Sequence, residues 1–275
     1  MLDHSKPSDS IPKIAWLIWG LGAFFYFAQY AIRLVPSVIQ AELTVTFEMS
    51  ATSLGYLGGL FYYPYIAMQM PIGTLADRFG PRLLLTFGAF FCGLSALLFG
   101  WADSLVQIYL SRFLLGLFAS AGFVCALKLA TVWFPARMLG LIIGITQTFG
   151  MLGASSGGPL SMINQHYDYS TIMVVMGGVF ILLSLASFMF VRNGQAPSTQ
   201  SQAHSDDSNL NNILKTVLKS KYTWINAMYA GFIYAPVQVL GEYWGAQFFA
   251  NVYGITPKQG AFAASTLFIG WIVGG

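Results

Sequence analysis

Four polar residues stand out in the first apolar stretch of the chain, because their spacing places them together. Tyr26, Gln29, Tyr30 and Arg33 are three or four positions apart, which puts them on one face of a helix. Arg33 is a fixed positive charge that can hold a carboxylate or phosphate through two hydrogen bonds. Alternatively, its long side chain extends to the outer end of the helix. We expect the first arrangement, in which this face contributes to a substrate site.

Two more charged residues lie in apolar stretches and are candidates for the same site. Glu242 could bind an amine group or carry a coupling proton, or it lies at a membrane interface beside aromatic residues. Lys128 either lines a cavity and attracts anionic groups or reaches the interface. If Arg33 and Glu242 face one cavity, they suit the carboxylate and the amine of an amino acid or peptide. Three tyrosines are expected to pack or to lie at the interface, with room for one of them in the cavity wall: Tyr62, Tyr63 and Tyr65.

The composition of the chain points to a lipid environment. Apolar residues make up 56% of the 275 positions and charged residues 8%, whereas a soluble domain carries about 25% charged residues. A soluble protein this poor in charge could not cover its surface, but in lipid the apolar side chains can face outward. The net charge of +3 is too small to indicate a nucleic-acid partner.

The sequence offers no support for enzyme chemistry. His4, His166 and His204 lie in the terminus or in loops, outside the apolar stretches. Metal-ligand spacing is absent, and so is a phosphate-binding glycine loop followed by Lys. Cys92 and Cys125 lie inside apolar runs and are expected to be buried small side chains. We therefore expect no catalytic residue, no metal site and no cofactor.

Eight apolar stretches are candidates for membrane spans, each of which needs about 20 residues as helix. The eighth begins near Pro257 and reaches Gly275. The seven that precede it cover residues 14–36, 53–75, 83–101, 105–127, 138–163, 171–191 and 222–245.

Basic residues are concentrated in alternate connections. Nine of the thirteen Lys and Arg residues fall on the side that includes the N-terminus and residues 192–221, and Lys258 is the one basic residue in the opposite connections. Because cytoplasmic loops carry such an excess, this side is predicted to be cytoplasmic. The stretch 193–212 is rich in Ser, Gln, Asn and Asp, which is typical of a linker. The predicted domains are a six-helix bundle at 1–191, a cytoplasmic linker at 192–221 and the start of a second bundle at 222–275.

A ten-residue motif follows the second span: Gly-Thr-Leu-Ala-Asp-Arg-Phe-Gly-Pro-Arg at 73–82. It resembles the signature loop of the major facilitator superfamily, G-x-L-A-D-R-x-G-x-[RK], with Pro81 where a basic residue is common. In that family the loop acts as a latch between the two halves when the cytoplasmic side is closed. The alternative is a short, solvated basic loop. The resemblance implies the latch role for five residues: Gly73, Asp77, Arg78, Gly80 and Arg82.

Two other elements resemble the same family. Arg112 begins Arg-Phe-Leu-Leu-Gly, which is similar to the family's R-F-x-x-G element. Inside a span it should face protein or water, and it either binds backbone carbonyls or acts in transport. Gly153 and Gly157 form a pair of small residues four positions apart, with Pro159 close behind. This run partly resembles a glycine-proline motif of exporters in the family, and close packing or a bend explains it equally well.

The resemblance covers the whole chain and implies an all-α membrane protein with the major facilitator fold. Family members usually have twelve helices, so we expect a truncated chain: the N-terminal six-helix bundle plus the first two helices of the C-terminal bundle. The segment from Tyr30 to Val38 also resembles the first helix of nutrient transporters of intracellular bacteria, several of which take up amino acids or nucleosides.

The function implied is secondary transport. We expect a monomer in a bacterial inner membrane that moves a small polar solute, such as an amino acid, short peptide or organic anion, by alternating access. Symport with a proton or another ion is the expected mode. The alternatives are a non-transporting receptor of the same fold and a drug or metabolite exporter.

Overall fold

The computed structural model describes residues 11–194 and 218–274, and within these ranges the chain forms helices and loops without a strand. The predicted all-α fold class is confirmed. Most of the predicted linker lies outside the described residues, as do His4 and His204. The helices are α1 (Lys13–Val38), α2 (Gln40–Thr46), α3 (Ala51–Phe79), α4 (Pro81–Gly100), α5 (Leu105–Ala119), α6 (Ala121–Trp133), α7 (Leu139–Ala154), α8 (Gly157–Ile163), α9 (Tyr169–Phe190), α10 (Lys221–Pro236), α11 (Gly245–Tyr253) and α12 (Pro257–Gly274).

Within residues 11–194 and 218–274, five helical stretches are long and apolar enough to cross a membrane, by length and composition. Two of them combine two helices, because α5 and α6 are interrupted only at Ser120 and α7 and α8 only at Ser155 and Ser156. α3 has 29 residues but is less apolar, since it ends in the polar loop motif. The five stretches are Lys13–Val38, Pro81–Gly100, Leu105–Trp133, Ala136–Ile163 and Tyr169–Phe190.

Small residues set the closest helix contacts, because the absence of a side chain lets two backbones approach. α4 and α9 meet at Gly93, where an added Cβ would lie 3.0 Å from the carbonyl oxygen of Gly177. Gly116 of α5 packs directly on the backbone of Phe61 in α3. Both contacts lie within the first unit, which comprises the helices α1 to α9 of the first six predicted spans.

The loop motif turns sharply between α3 and α4. Gly80 has φ +81°, a left-handed conformation that glycine adopts without steric cost. Pro81 then occupies the first position of α4, where its missing N–H is tolerated. The sequence Gly-Pro therefore ends one helix and begins the next within two residues.

The C-terminal helices join the first unit mainly at one end. α12 packs on α7 and α8, and a π-helix at Val237–Tyr243 packs on α1. α10, in contrast, contains no buried residue. The stretch from α10 to α11 is thus attached mainly from Tyr234 onward.

Candidate functional site

The polar face of α1 lies inside the protein. Tyr26, Gln29, Tyr30 and Arg33 are each at most 4% exposed. Arg33 Nη2 donates a hydrogen bond to Gln29 Oε1 at 3.1 Å. The Tyr26 hydroxyl lies 3.5 Å from the Tyr30 hydroxyl and 3.3 Å from Gln147 Oε1. α1 therefore presents a connected polar row, and the Arg33 side chain is buried within the protein.

Arg33 and Glu242 form an ion pair between α1 and the π-helix. Arg33 Nη1 lies 3.5 Å from Glu242 Oε1, and both side chains are buried. The Tyr62 hydroxyl contacts the second carboxylate oxygen and also lies 2.8 Å from Gln238 Oε1. Its single proton serves one of these acceptors at a time. Glu242 is therefore a buried partner of Arg33.

Aromatic rings surround the Arg33 guanidinium. Its central carbon lies 4.0 Å from the ring centroid of Tyr30, 5.0 Å from that of Phe61 and 5.1 Å from that of Tyr65. Ring faces attract cations at these distances, so the cage stabilises a positive charge away from water. Among the described residues, Arg33 Nε and Gln29 Nε2 are buried without a hydrogen-bond acceptor. The polar row on α1 therefore contains two donors that the protein leaves unpaired in this arrangement.

The π-helix explains how Glu242 reaches α1. Pro236 lacks the N–H that a regular helix needs at that position. Downstream, the backbone widens, and Trp244 N donates to Val239 O at 2.9 Å, five residues back. Such widened turns change the direction of side chains and are frequent at functional sites.

Arg112 binds the backbone that carries Arg33 and is not itself one of the residues that form the site. Its Nη2 donates to the carbonyl oxygen of Arg33 at 2.8 Å, and its Nη1 lies 3.5 Å from that of Ile32. Its guanidinium carbon is 4.9 Å from the Phe61 ring centroid. Of the two interpretations of this residue, the geometry matches a buried Arg that binds backbone carbonyls.

Lys128 does not join the Arg33 group. Its Nζ lies 2.5 Å from Asp77 Oδ1 in the loop motif, and both side chains are about one-third exposed. Arg82 Nη2 donates to the carbonyl oxygen of Phe188 at 2.8 Å, which ties the loop to the end of α9. The guanidinium carbon of Arg78 lies 5.4 Å from the ring centroid of Phe79. Three of the five predicted latch residues, Asp77, Arg78 and Arg82, thus make these contacts, and Gly80 lies between them in the chain. A Cβ at Gly73 would meet no atom within 4 Å.

The predicted glycine pair lies where α7 and α8 meet their neighbours. Gly153 packs on the carbonyl of Phe27 in α1. A Cβ at Gly157 would lie 3.4 Å from Ser265 Oγ of α12. The backbone N–H of Gly158, just before Pro159, donates to the same Ser265 Oγ at 3.2 Å. This region therefore carries a second contact between the first unit and the C-terminal helices.

Sequence reasoning missed two residues of the site. The Tyr234 hydroxyl lies 2.9 Å from the Tyr30 hydroxyl, and Gln238 contacts Tyr62. Tyr234, Gln238 and Glu242 are spaced four apart, the same pattern that identified the α1 face. Applying that spacing rule to the seventh span would have found both.

A comparison with protein-family models matches residues 18–275 to the Major Facilitator Superfamily. The chain belongs to the major facilitator superfamily. As a member of this superfamily it is a multi-pass membrane protein, and the predicted fold is confirmed. It is also similar, at 18% identity, to the crystal structure of a bacterial homolog to the human lysosomal transporter Spinster in an inward-facing, unoccupied conformation. That comparison has a TM-score of 0.75 and covers 94% of this chain and 60% of the other.

Curated relatives of this major facilitator chain are bacterial transporters. The probable sulfoacetate transporter SauU of Cupriavidus necator is 31% identical over 182 residues, which cover 66% of this chain and 42% of the relative. The uncharacterized transporter YybO of Bacillus subtilis is 24% identical over 98% of this chain and 64% of its own length. The probable galactarate/D-glucarate transporter GarP of Escherichia coli is 26% identical over 60% of this chain and 38% of its own length. The chain thus spans about two-fifths to two-thirds of the relatives it matches.

Proposed function

We propose that the protein is a secondary transporter of small organic anions, and that Arg33 is the charge that binds them. The observation that carries this proposal is the Arg33–Glu242 ion pair. A buried guanidinium must be neutralised, and here a carboxylate of the protein occupies the position that an anionic ligand would take. A ligand carboxylate or sulfonate could replace Glu242 with no change in the charge balance.

The relatives support an anion over the other solutes that the sequence left open. Their names refer to sulfoacetate, galactarate and D-glucarate, L-galactonate, and nitrate or nitrite. Each of these is an anion, and the planar guanidinium suits carboxylates and related oxyanions. An amino acid or peptide also carries an amine. To bind it, Glu242 would have to hold the amine at the same time as Arg33 holds the carboxylate.

The proposed mechanism is alternating access around this pair. The contacts that join the first unit to the C-terminal helices include Arg33 with Glu242, Tyr30 with Tyr234, the Tyr243 hydroxyl with the carbonyl of Leu54, and Gly158 with Ser265. α10, which precedes the π-helix in the chain, contains no buried residue. With the N-terminus cytoplasmic, as the basic residues favour, the contacts close the outer side of the protein.

The cavity that borders Glu242 is too small for a substrate in this arrangement. It measures about 10 Å³, which is room for about one water.

Anion binding and gate opening are then coupled. Separating Arg33 from Glu242 without a ligand leaves an uncompensated buried charge, which costs about 3–5 kcal/mol. A bound anion removes that cost for Arg33. An empty site therefore favours the closed pair, and a filled site favours its release.

Uptake into proteoliposomes tests the proposal. The full-length gene product would be assayed with radiolabelled sulfoacetate, D-glucarate, an amino acid mixture and a dipeptide. We expect uptake of an acid that Arg33→Ala abolishes and that Lys221→Ala, an exposed lysine of α10, leaves unchanged. Uptake of acids that survives in Arg33→Ala would refute the assigned role, and no flux of any probe would favour a non-transporting receptor.

A further inference from the structure

A second cavity lies next to the ion pair, at the C-terminal end of α1. It measures about 510 Å³, a size typical of small-molecule sites. Its walls come from α1, α2, the end of α8, α11 and the start of α12. It is separate from the small cavity beside Glu242 but adjoins it, because the two share four lining residues: Ser37, Val38, Ala246 and Ala261.

The lining of this cavity is rich in primary amides. Nine of its fifteen lining residues have polar side chains, and five of these nine are Asn or Gln. A primary amide both donates and accepts hydrogen bonds, as a hydroxyl group does. These amides, set in a surface that is otherwise largely apolar, can bind a ligand that carries hydroxyl groups on a carbon chain. The five amides are Gln40, Asn164, Gln165, Gln247 and Asn251.

Two of the amides lack a hydrogen-bond partner. Gln40 is only 6% exposed, and its Oε1 is buried without a donor. Asn164 Oδ1 is likewise buried and unpartnered. Buried polar atoms are normally hydrogen-bonded, and among the described residues these two oxygens have no donor. A rotation of either side chain toward the cavity would give its oxygen a ligand hydroxyl as donor.

Lys258 gives the cavity a positive charge. The fifteen lining residues include no Asp or Glu. Within residues 11–194 and 218–274, no carboxylate lies within ion-pair distance of the Lys258 ammonium group. An ammonium group without a counter-ion at the edge of a polar cavity attracts an anion.

We propose that this cavity binds small polyhydroxylated carboxylates, at a site distinct from Arg33. The amides bind the hydroxyl groups and Lys258 binds the carboxylate. The inference rests on the lining of the cavity and not on the proposed transport. If the protein is also a transporter, a sugar acid binds in this cavity first and then moves to the Arg33–Glu242 ion pair.

Two six-carbon diacids separate the contributions of the amides and the lysine. D-Glucarate carries four hydroxyl groups between its carboxylates, whereas adipate has the same chain without them. Binding would be measured by calorimetry on the full-length protein in lipid nanodiscs, in an Arg33→Ala background that removes the other anion site. We expect D-glucarate to bind at least about tenfold more tightly than adipate, as several neutral hydrogen bonds would give.

Variants of the lining assign the binding to this cavity. Lys258→Ala should weaken both diacids about tenfold, and Gln40→Leu should weaken D-glucarate about fivefold and leave adipate unchanged. Lys221→Ala is the matched lysine control. Lys258 is partly exposed, so its variant still decides the question if Gln40→Leu does not fold. Equal affinities for the two diacids, no binding of D-glucarate, or binding that Lys258→Ala does not affect would overturn the proposal.

The same preparations distinguish this inference from the proposed function. D-Glucarate binding that depends on Lys258, in a protein that takes up no acid, would support the cavity site and refute transport. Uptake that depends on Arg33, without the hydroxyl preference in the Arg33→Ala background, would do the reverse.

Discussion

The Arg33 guanidinium and the Glu242 carboxylate lie 3.5 Å apart, although 209 positions of sequence separate them. Both are buried, and the Tyr62 hydroxyl contacts the same carboxylate. Exchanging one partner for another anion preserves the balance of charge, whereas deleting it does not. Under the proposed function, Glu242 is therefore an internal occupant of the position where an external anion would bind.

Removing the charge of this occupant should strengthen anion binding. In Glu242→Gln no carboxylate of the protein competes for Arg33, so the Kd of the transported acid should fall about tenfold, equivalent to about 1.4 kcal/mol. Calorimetry on the purified protein measures this change. Glu42→Gln is the control, because Glu42 instead accepts a hydrogen bond from the backbone N–H of Tyr169. Unchanged or weaker binding in Glu242→Gln would contradict the competition.

Proton coupling gives a second prediction for the same variant. If Glu242 carries the coupled proton, Glu242→Gln should lose uptake driven by a proton gradient and retain exchange of internal for external substrate. Both modes are measurable with labelled substrate in proteoliposomes. A pH dependence of uptake that is the same in the variant and the wild type would exclude Glu242 as the proton carrier.

The Tyr62 hydroxyl should stabilise the closed pair. Tyr62→Phe deletes a hydrogen bond to a charged group, a loss of about 1.5–3 kcal/mol, so the ligand-free protein should melt at a lower temperature. Tyr63→Phe is the matched control, since that side chain is 69% exposed. Thermal unfolding in detergent compares the two. Equal melting temperatures would indicate that the hydroxyl contributes nothing to the closed state.

Gly153 should not tolerate a methyl group. A Cβ there would collide with the carbonyl oxygen of Phe27, and overpacking of this kind costs about 1–3 kcal/mol. At Gly178 a Cβ would meet no atom within 4 Å. We therefore expect Gly153→Ala to lower the melting temperature and Gly178→Ala to leave it unchanged or raise it, because Ala favours helix. Similar effects of both changes would count against close packing at Gly153.

Much of the architecture is predictable from the sequence because it depends on local patterns. Each predicted span begins within two residues of the first residue of a helix in the structure. The row on α1 follows from the helical repeat, and the sparse charge makes Arg33 and Glu242 conspicuous. Pairing between distant segments is a different matter, since no local pattern fixes the depth at which two side chains meet.

The π-helix illustrates what the sequence leaves hidden. Pro236 indicates an irregular helix, but it does not indicate that the backbone widens and turns Glu242 toward Arg33. The partner of Lys128 is hidden for a similar reason. Its helix gives no indication that the C-terminal end of α3, which carries Asp77 51 positions earlier, lies beside it.

The hydrogen bonds between Arg112 and the α1 backbone have a consequence for how the protein diversifies. It fixes the place where Arg33 presents its charge, because α1 and α5 are held together beneath that residue. Under the proposed function, a ligand brings its anionic group to this one point, and selectivity among acids depends on the opposite wall, formed by the π-helix, α11 and α12. We then expect substitutions in that wall to change which acid is accepted while the first unit keeps its stability. The binding of the charge and the choice among acids would thereby lie on separate parts of the chain.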